Sequence, residues 1–186
     1  MSGGEEAVRL RRSFLFVPAS EERKLAKAPT LAADAVILDL EDGVAAARKA
    51  EARGLLQRFL PAQSASGIEW LVRLNAFGTP HFQADLEAAL RAGPQALVIP
   101  KVESPDILRQ VDEQLTAAEP VLGRAPGSVR LFALVESARG LLGAREIAGG
   151  SPRLQGLMLG HVDLCADLGI TAGPAGDGIL LHARCQ

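Results

Sequence analysis

Six times along this chain a short apolar run gives way to a segment whose apolar residues recur at helical spacing. No other feature limits the fold as strongly. The runs are apolar on both faces, which is the pattern of strands buried in a parallel sheet with helices packed over it. The candidate strands are Arg12–Val17, Ala35–Leu40, Glu69–Leu74, Ala96–Ile99, Leu131–Val135 and a core at Leu157–Leu159. The segments between them carry helix signals. Ser20 reads as an N-cap for a helix that reaches Ala28, where Pro29 breaks it. An Ala-rich helix follows from Val44 to Leu60, closed by Pro61, with a polar turn at Gln63–Gly67. Thr79 and Pro80 read as cap and first position of the next helix, which Gly93 and Pro94 stop. Ser104 and Pro105 open a helix bearing Ile107, Leu108, Val111 and Leu115, and Glu119–Ser128 reads as a loop. Ser137 caps a helix with Leu141, Leu142 and Ile147. Asp163–Leu168 reads as a short helical turn, Gly173–Gly178 as flexible, and Ile179–Arg184 as the start of a helix.

Two architectures accept this order: an open doubly wound sheet and a closed (β/α)8 barrel. The open fold usually places a glycine-rich phosphate loop after its first strand. Here the first turn reads VPASEER, and neither GxGxxG nor GxxxxGK[ST] occurs in the chain. Polar residues gather instead at the C-terminal ends of several strands, the habit of the TIM barrel. The expected fold is therefore α/β of the (β/α)8 TIM-barrel type. A complete barrel runs to roughly 250 residues, so these 186 residues are expected to be a shortened barrel of about six units. Residues 1–186 read as one incomplete barrel domain with a flexible lead-in at 1–11. Six strands alone are expected to leave two exposed sheet edges and an uncovered apolar lumen.

Composition narrows the function. The chain is 48% hydrophobic and 23% charged, a globular balance, and its net charge of −2 offers no basic field for nucleic acid. No apolar run approaches the roughly 18 residues that span a bilayer. The N-terminal stretch MSGGEEAVRLRR has no apolar core of the secretory kind. Cys165 and Cys185 make no disulfide framework and no CxxC pair, so they read as free thiols in a reducing, cytoplasmic setting.

The chemistry is expected where strands end. Glu136 follows the fifth run and Asp163 lies just after the sixth. On adjacent parallel strands the two carboxylates become neighbours at the C-terminal edge, and two such oxygen donors with water or substrate oxygens suit Mg²⁺. Arg73 sits in the apolar run WLVRL, where a charge must be paired or face the site mouth. Its planar guanidinium suits a substrate carboxylate, or a salt bridge to Asp39, Glu41 or Asp42 on the preceding strand, and the two roles are compatible. Alternation sends Asp39 and Glu41 to one face. Asp39, Glu41, Asp42 and Lys101 read as outer partners of the metal waters or of Arg73. Lys101 also admits a Schiff-base reading, which a metal pair makes unnecessary. Gly160 permits close backbone approach beside the site.

The blocks SFLFVPAS, AVILDLEDGV, VRLNAFGTP, LVIPKVES, LVESARGL and LGHVDLCADLG occur in the order found in citrate lyase β-subunit-like proteins. By this resemblance, which covers about Arg12 to Leu168, the chain is identified as a member of the HpcH/HpaI aldolase group of the phosphoenolpyruvate/pyruvate superfamily. The resemblance implies a (β/α)8 barrel, trimers or hexamers, Mg²⁺ on Glu136 and Asp163, and Arg73 on a substrate carboxylate. It also implies cleavage or formation of a carbon–carbon bond between an acyl thioester, on CoA or an acyl carrier, and a 2-oxo acid. Citryl, malyl and citramalyl thioesters are examples. In thioester-cleaving relatives a later segment supplies a lid and an acidic residue for a neighbouring subunit. His161 stands where relatives often carry a small or amide residue, so no role transfers to it. Two other readings stay open: an aldolase acting on free 4-hydroxy-2-oxo acids, and a non-catalytic fragment.

Overall fold

The six runs form one parallel sheet, ordered β1-β2-β3-β4-β5-β6, in the computed structural model, which describes residues 10–63, 67–171 and 177–185. The strands are β1 (Phe14–Pro18), β2 (Ala35–Asp39), β3 (Glu69–Arg73), β4 (Ala96–Ile99), β5 (Arg130–Val135) and β6 (Leu154–Leu159). The helices are α1 (Glu22–Lys27), α2 (Lys49–Phe59), α3 (Phe82–Ala92), α4 (Pro105–Val121), α5 (Ala138–Leu142), α6 (Ala144–Ala148), α7 (His161–Asp167) and α8 (Asp177–Cys185). The fold is α/β of the TIM-barrel type, with every neighbouring strand pair parallel.

Alternation along each strand divides the core in two. One set of side chains, including Val36, Leu38, Trp70, Val72, Leu97, Ile99 and Leu131, packs outward against the helices. The other set, Ala35, Ile37, Leu71, Ala96, Val98, Phe132 and Leu134, fills the concave face, and none is more than 5% exposed. The lumen expected to stand uncovered is therefore filled by its own side chains along the central strands. Small Ala35 and Ala96 beside large Ile37, Leu71 and Phe132 let the layers interdigitate. Among the strand residues, the exposed large apolar side chains lie on the flanking strands: Phe16 on β1 is 43% exposed and Leu157 on β6 is 39% exposed.

Several element boundaries move from their expected places, each for a local reason. Ser20 does not cap α1, which starts after Glu21 without a side-chain cap, and the Ser20 carbonyl instead accepts from Arg48. A 3₁₀ turn at Ala46–Arg48 precedes α2, which begins at Lys49 rather than Val44. Thr79 donates its hydroxyl to the Ala76 carbonyl in the preceding turn, so α3 begins after His81. Helix α4 continues through Glu119 and Pro120, part of the expected loop, because buried Glu119 ties its last turn to the following segment. The helix after Ser137 is split at Gly143 into α5 and α6, although Ser137 does accept the Gly140 N–H as its cap. Strand β6 extends back to Leu154, beyond its expected core, across an irregular register at Leu131/Phe132. The expected flexible lead-in and the Gly173–Gly178 stretch lie largely outside the described residues. At the end of that lead-in, Arg11 pairs with Glu69 on β3.

Candidate active site

The C-terminal ends of the strands open into a cleft of about 590 Å³, walled by Phe16 and Pro18 of β1 on one side and by Leu159, Gly160 and Val162 on the other. Asp39, Asp42, Arg73, Glu136, His161 and Asp163 are the polar residues that line it, with Gly43 and Leu134. Register explains the gathering. Asp39 is the partner of Arg73 across β2 and β3, so a carboxylate and a guanidinium leave adjacent strands at one level.

Arg73 and Asp39 form a two-pronged ion pair. Arg73 Nε and Nη2 donate to Asp39 Oδ1 and Oδ2, each at 2.8 Å. Asp39 also accepts the backbone N–H groups of Glu41 and Gly43, both at 2.8 Å. Arg73 Nη1 lies 3.1 Å from Glu41 Oε2. Its guanidinium stacks beside the Phe16 ring at 5.1 Å. Burial alone draws the Arg73 pKa down, but the Asp39 hydrogen bonds and the acids around it raise it overall. The salt bridge expected for Arg73 is thus formed. Asp39 takes two of its five N–H donors, so donors remain for an anion in the cleft.

Glu41 is buried, and desolvation raises its pKa, opposed by the Lys101 hydrogen bond. Lys101 Nζ donates to Glu41 Oε1 at 2.9 Å and lies 3.8 Å from Asp42. Glu41 Oε2 is buried with no hydrogen-bond partner. Lys101 therefore has its acid partner, and an ammonium so paired is not poised for imine formation.

Glu136 is only 4% exposed. One of its oxygens, Oε1, accepts the Lys101 backbone N–H at 2.8 Å. Desolvation raises its pKa well above the usual carboxylate range, and Glu41 and a side-chain hydrogen bond with Asp163 add to the effect. Asp163 comes from the first turn of α7, not from the strand itself. Helix α7 is held at its start by the Gly160 N–H on the Val135 carbonyl and at its end by Asp167 accepting the Ala138 N–H. Glu136 and Asp163 are thus brought together as the sequence predicts. Their side chains meet at one spot, where a hard cation would relieve the crowding of two carboxylates. Among the described residues, no group of three or more His, Cys, Asp or Glu side chains is gathered to hold a metal. The donor set is a carboxylate pair, which suits a cation that keeps several water or substrate oxygens.

A buried polar layer behind the site escaped the sequence reading. Lys49 Nζ donates to the carbonyls of Leu40 and Glu41 at 2.6 and 2.7 Å and to Asn75 Oδ1 at 2.8 Å. Asn75 and Arg53 both donate to Asp85, which is fully buried. This layer fixes the carbonyl ends of β2, and with them the turn that bears Glu41 and Asp42. A signal was available: Lys49 shares its face with Ala52 and Leu56, and Asp85 shares its face with Phe82 and Leu86. A charge on a helix's apolar stripe needs a buried partner.

The family model for HpcH/HpaI aldolase/citrate lyase matches residues 12–186. The chain belongs to this family. It is 35% identical over 176 residues to the citrate lyase subunit beta of Leuconostoc mesenteroides, covering 95% of this chain and 58% of that protein. It is 41% identical over 182 residues to a (3S)-malyl-CoA thioesterase of Cereibacter sphaeroides, covering 94% and 60%. The chain thus spans about three fifths of the length of the curated family members it matches. In structure it resembles a Mycobacterium tuberculosis citrate lyase beta subunit complexed with oxaloacetate and magnesium. The TM-score is 0.71 at 36% identity, covering 96% of this chain and 74% of the other. A further family structure from that organism, with magnesium, acetoacetate and coenzyme A, gives a TM-score of 0.72 at 36% identity, covering 96% and 61%.

Proposed function

We propose that the cleft is the site of a Mg²⁺-dependent carbon–carbon lyase that splits a 3-hydroxyacyl thioester into an acetyl-type thioester and a 2-oxo acid. The observation that carries this reading is the convergence of Glu136 and Asp163 in one cleft with Arg73. A relative of similar fold holds magnesium with oxaloacetate, and another holds coenzyme A as well. In this reading Glu136 and Asp163 hold the ion through carboxylate oxygen. Bound Mg²⁺ supplies Lewis-acid polarisation of the 2-oxo acid's oxygens. Arg73, aimed by Asp39, grips the substrate carboxylate with its remaining N–H donors. Phe16 and Leu159 wall the cleft with apolar surface, which strengthens these charge contacts by limiting water. Asp39, Glu41, Asp42 and Lys101 act one step back, holding Arg73 and Glu136 in place.

We further take residues 1–186 as part of a single barrel domain, because the sheet is continuous from β1 to β6. The proposed setting is a cytoplasmic homo-oligomer, a trimer or hexamer, using a CoA or acyl-carrier thioester. No described helix is long and apolar enough to cross a membrane.

The test is calorimetric and chemical. Mg²⁺ with pyruvate is expected to bind the protein, and malyl-CoA to be cleaved only with Mg²⁺ present. Glu136→Gln and Asp163→Asn should each abolish both. Unchanged Mg²⁺ binding in either variant rejects the site. Turnover of a free 4-hydroxy-2-oxo acid, with malyl-CoA untouched, rejects the thioester substrate.

A further inference from the structure

Lys101 is the one non-glycine residue with a positive φ among the described residues, at 53°. A residue with a side chain in this left-handed conformation carries strain on the order of 1 kcal/mol or more. Glycine would relieve it, yet a lysine stands here. Both halves of the residue are engaged. The backbone N–H, turned by the positive φ, donates to Glu136 Oε1 at 2.8 Å. The ammonium runs the other way to Glu41 at 2.9 Å and toward Asp42 at 3.8 Å, and the side chain is 47% exposed.

The charges around the cleft make this arrangement consequential. Asp39 is matched by Arg73. Arg73 also lies 3.1 Å from Glu41, so among the described residues Arg73 and Lys101 stand against Asp39, Glu41, Asp42, Glu136 and Asp163 at the strand ends. Lys49 lies behind them, with its ammonium spent on neutral oxygens. A cleft this acidic attracts a divalent cation but repels a carboxylate substrate.

We propose that Lys101 does two separable jobs: its backbone N–H positions Glu136 so that the second oxygen is the one presented to the cation, and its ammonium balances Glu41 and Asp42 so that a carboxylate anion can follow the cation in. The inference rests on the Mg²⁺-dependent reading. It makes Lys101 a positioning and anion-affinity residue rather than an imine-forming one.

Three proteins decide it, each titrated calorimetrically with Mg²⁺ alone and then with pyruvate at saturating Mg²⁺. Lys101→Gly keeps the turn and the N–H but loses the ammonium. Its Mg²⁺ affinity should stay within about threefold of wild type or tighten, while pyruvate binding weakens about tenfold, equivalent to about 1.4 kcal/mol. Lys101→Arg should restore pyruvate binding to within about threefold, since a cation returns to the same turn. A general structural defect would weaken both ligands together and lower the melting temperature, and that result overturns the proposal. Unchanged pyruvate binding in Lys101→Gly overturns it too. If the wild-type protein binds neither ligand, the failure lies with the metal-site reading itself and not with the role of Lys101.

Discussion

A methyl group placed at position 160 probes the site at its smallest scale. Gly160 has φ −85°, a value any residue adopts, so alanine there meets no backbone strain. Its Cβ would, however, lie 2.6 Å from both Cβ and Oε2 of Glu136. The Glu136 Cβ is fixed to the end of β5 and cannot swing away, so the carboxylate must tilt. Gly160→Ala is expected to weaken Mg²⁺ binding at least tenfold in a calorimetric titration, with a melting temperature lowered by only a few degrees. Equal Mg²⁺ affinity would mean that Glu136 has room the contact distances deny. Asp39 tests the same scale from the other wall. Asp39→Asn removes the charge that Arg73 is paired with and leaves a partly buried guanidinium facing one less acid. Losing one partner of a buried pair costs about 3–5 kcal/mol, and these side chains are only 11% and 4% exposed. Pyruvate binding should fall with it, because the remaining Arg73 donors are no longer aimed. At this scale the residues at strand ends were legible, because acids and an arginine stand out against apolar runs. Lys49, Asn75 and Asp85 were not. A lysine or aspartate in a helix looks solvated unless its face is compared with that of its apolar neighbours.

At the scale of elements, the end of α4 is locked to β5 and β6 by a buried charge cluster on the face away from the site. Arg153, just before β6, donates to Glu119 through Nη1 and Nη2 at 2.7 and 2.9 Å, and to Thr116 and Asp112 as well. Glu119 also accepts the N–H groups of Gly127 and Val129. Burial pushes the Glu119 pKa up, but Arg153 and the two backbone donors outweigh it and hold it down to about 2. The sign follows directly. A carboxyl with a depressed folded pKa binds its proton more readily when unfolded, so its contribution is present above the unfolded value of 4.5 and lost as pH falls toward about 2. The loss, on the order of 2–3 kcal/mol, should appear as a falling urea midpoint between pH 5 and 2. In Glu119→Gln that slope should flatten, and at pH 7 the melting temperature should drop by about 10 °C, given roughly 2–4 °C per kcal/mol for a chain of this size. A slope unchanged in the variant would assign the acid sensitivity elsewhere. The sequence concealed this lock for a physical reason. Pro120 beside Glu119 carries a helix-stopping signal, and only the distant Arg153 explains why the helix outlasts it. The strands themselves were plain, since β-branched and leucine-rich runs have no other use at that length.

Across the whole molecule, the sheet holds its centre firmly and its flanks loosely. Central strands β2 to β4 are buried along almost their full length, whereas β1 and β6 keep residues half open. Strand order was legible from the alternation of elements. The filled lumen was not, because how far a sheet curls depends on the summed twist and the sizes of facing side chains. Glu136 extends from β5, and Asp163 lies on α7 just beyond the flanking strand β6. An ion held by both would therefore staple the looser flank to the firmer sheet. Without a cation between them, the Glu136 carboxyl is buried beside Asp163, and desolvation with the nearby acids disfavours its charged form. Mg²⁺ at a hundred times its dissociation constant should stabilise the native state by about 2.7 kcal/mol, raising the melting temperature by about 5–10 °C. Amide exchange should slow most over residues 154–167, the stretch that β6 and α7 occupy, and least in β2 to β4, which are already protected. Chelation should reverse both effects. Protection spread evenly over the sheet, or a Tm indifferent to Mg²⁺, would mean that no ion joins the two carboxylates.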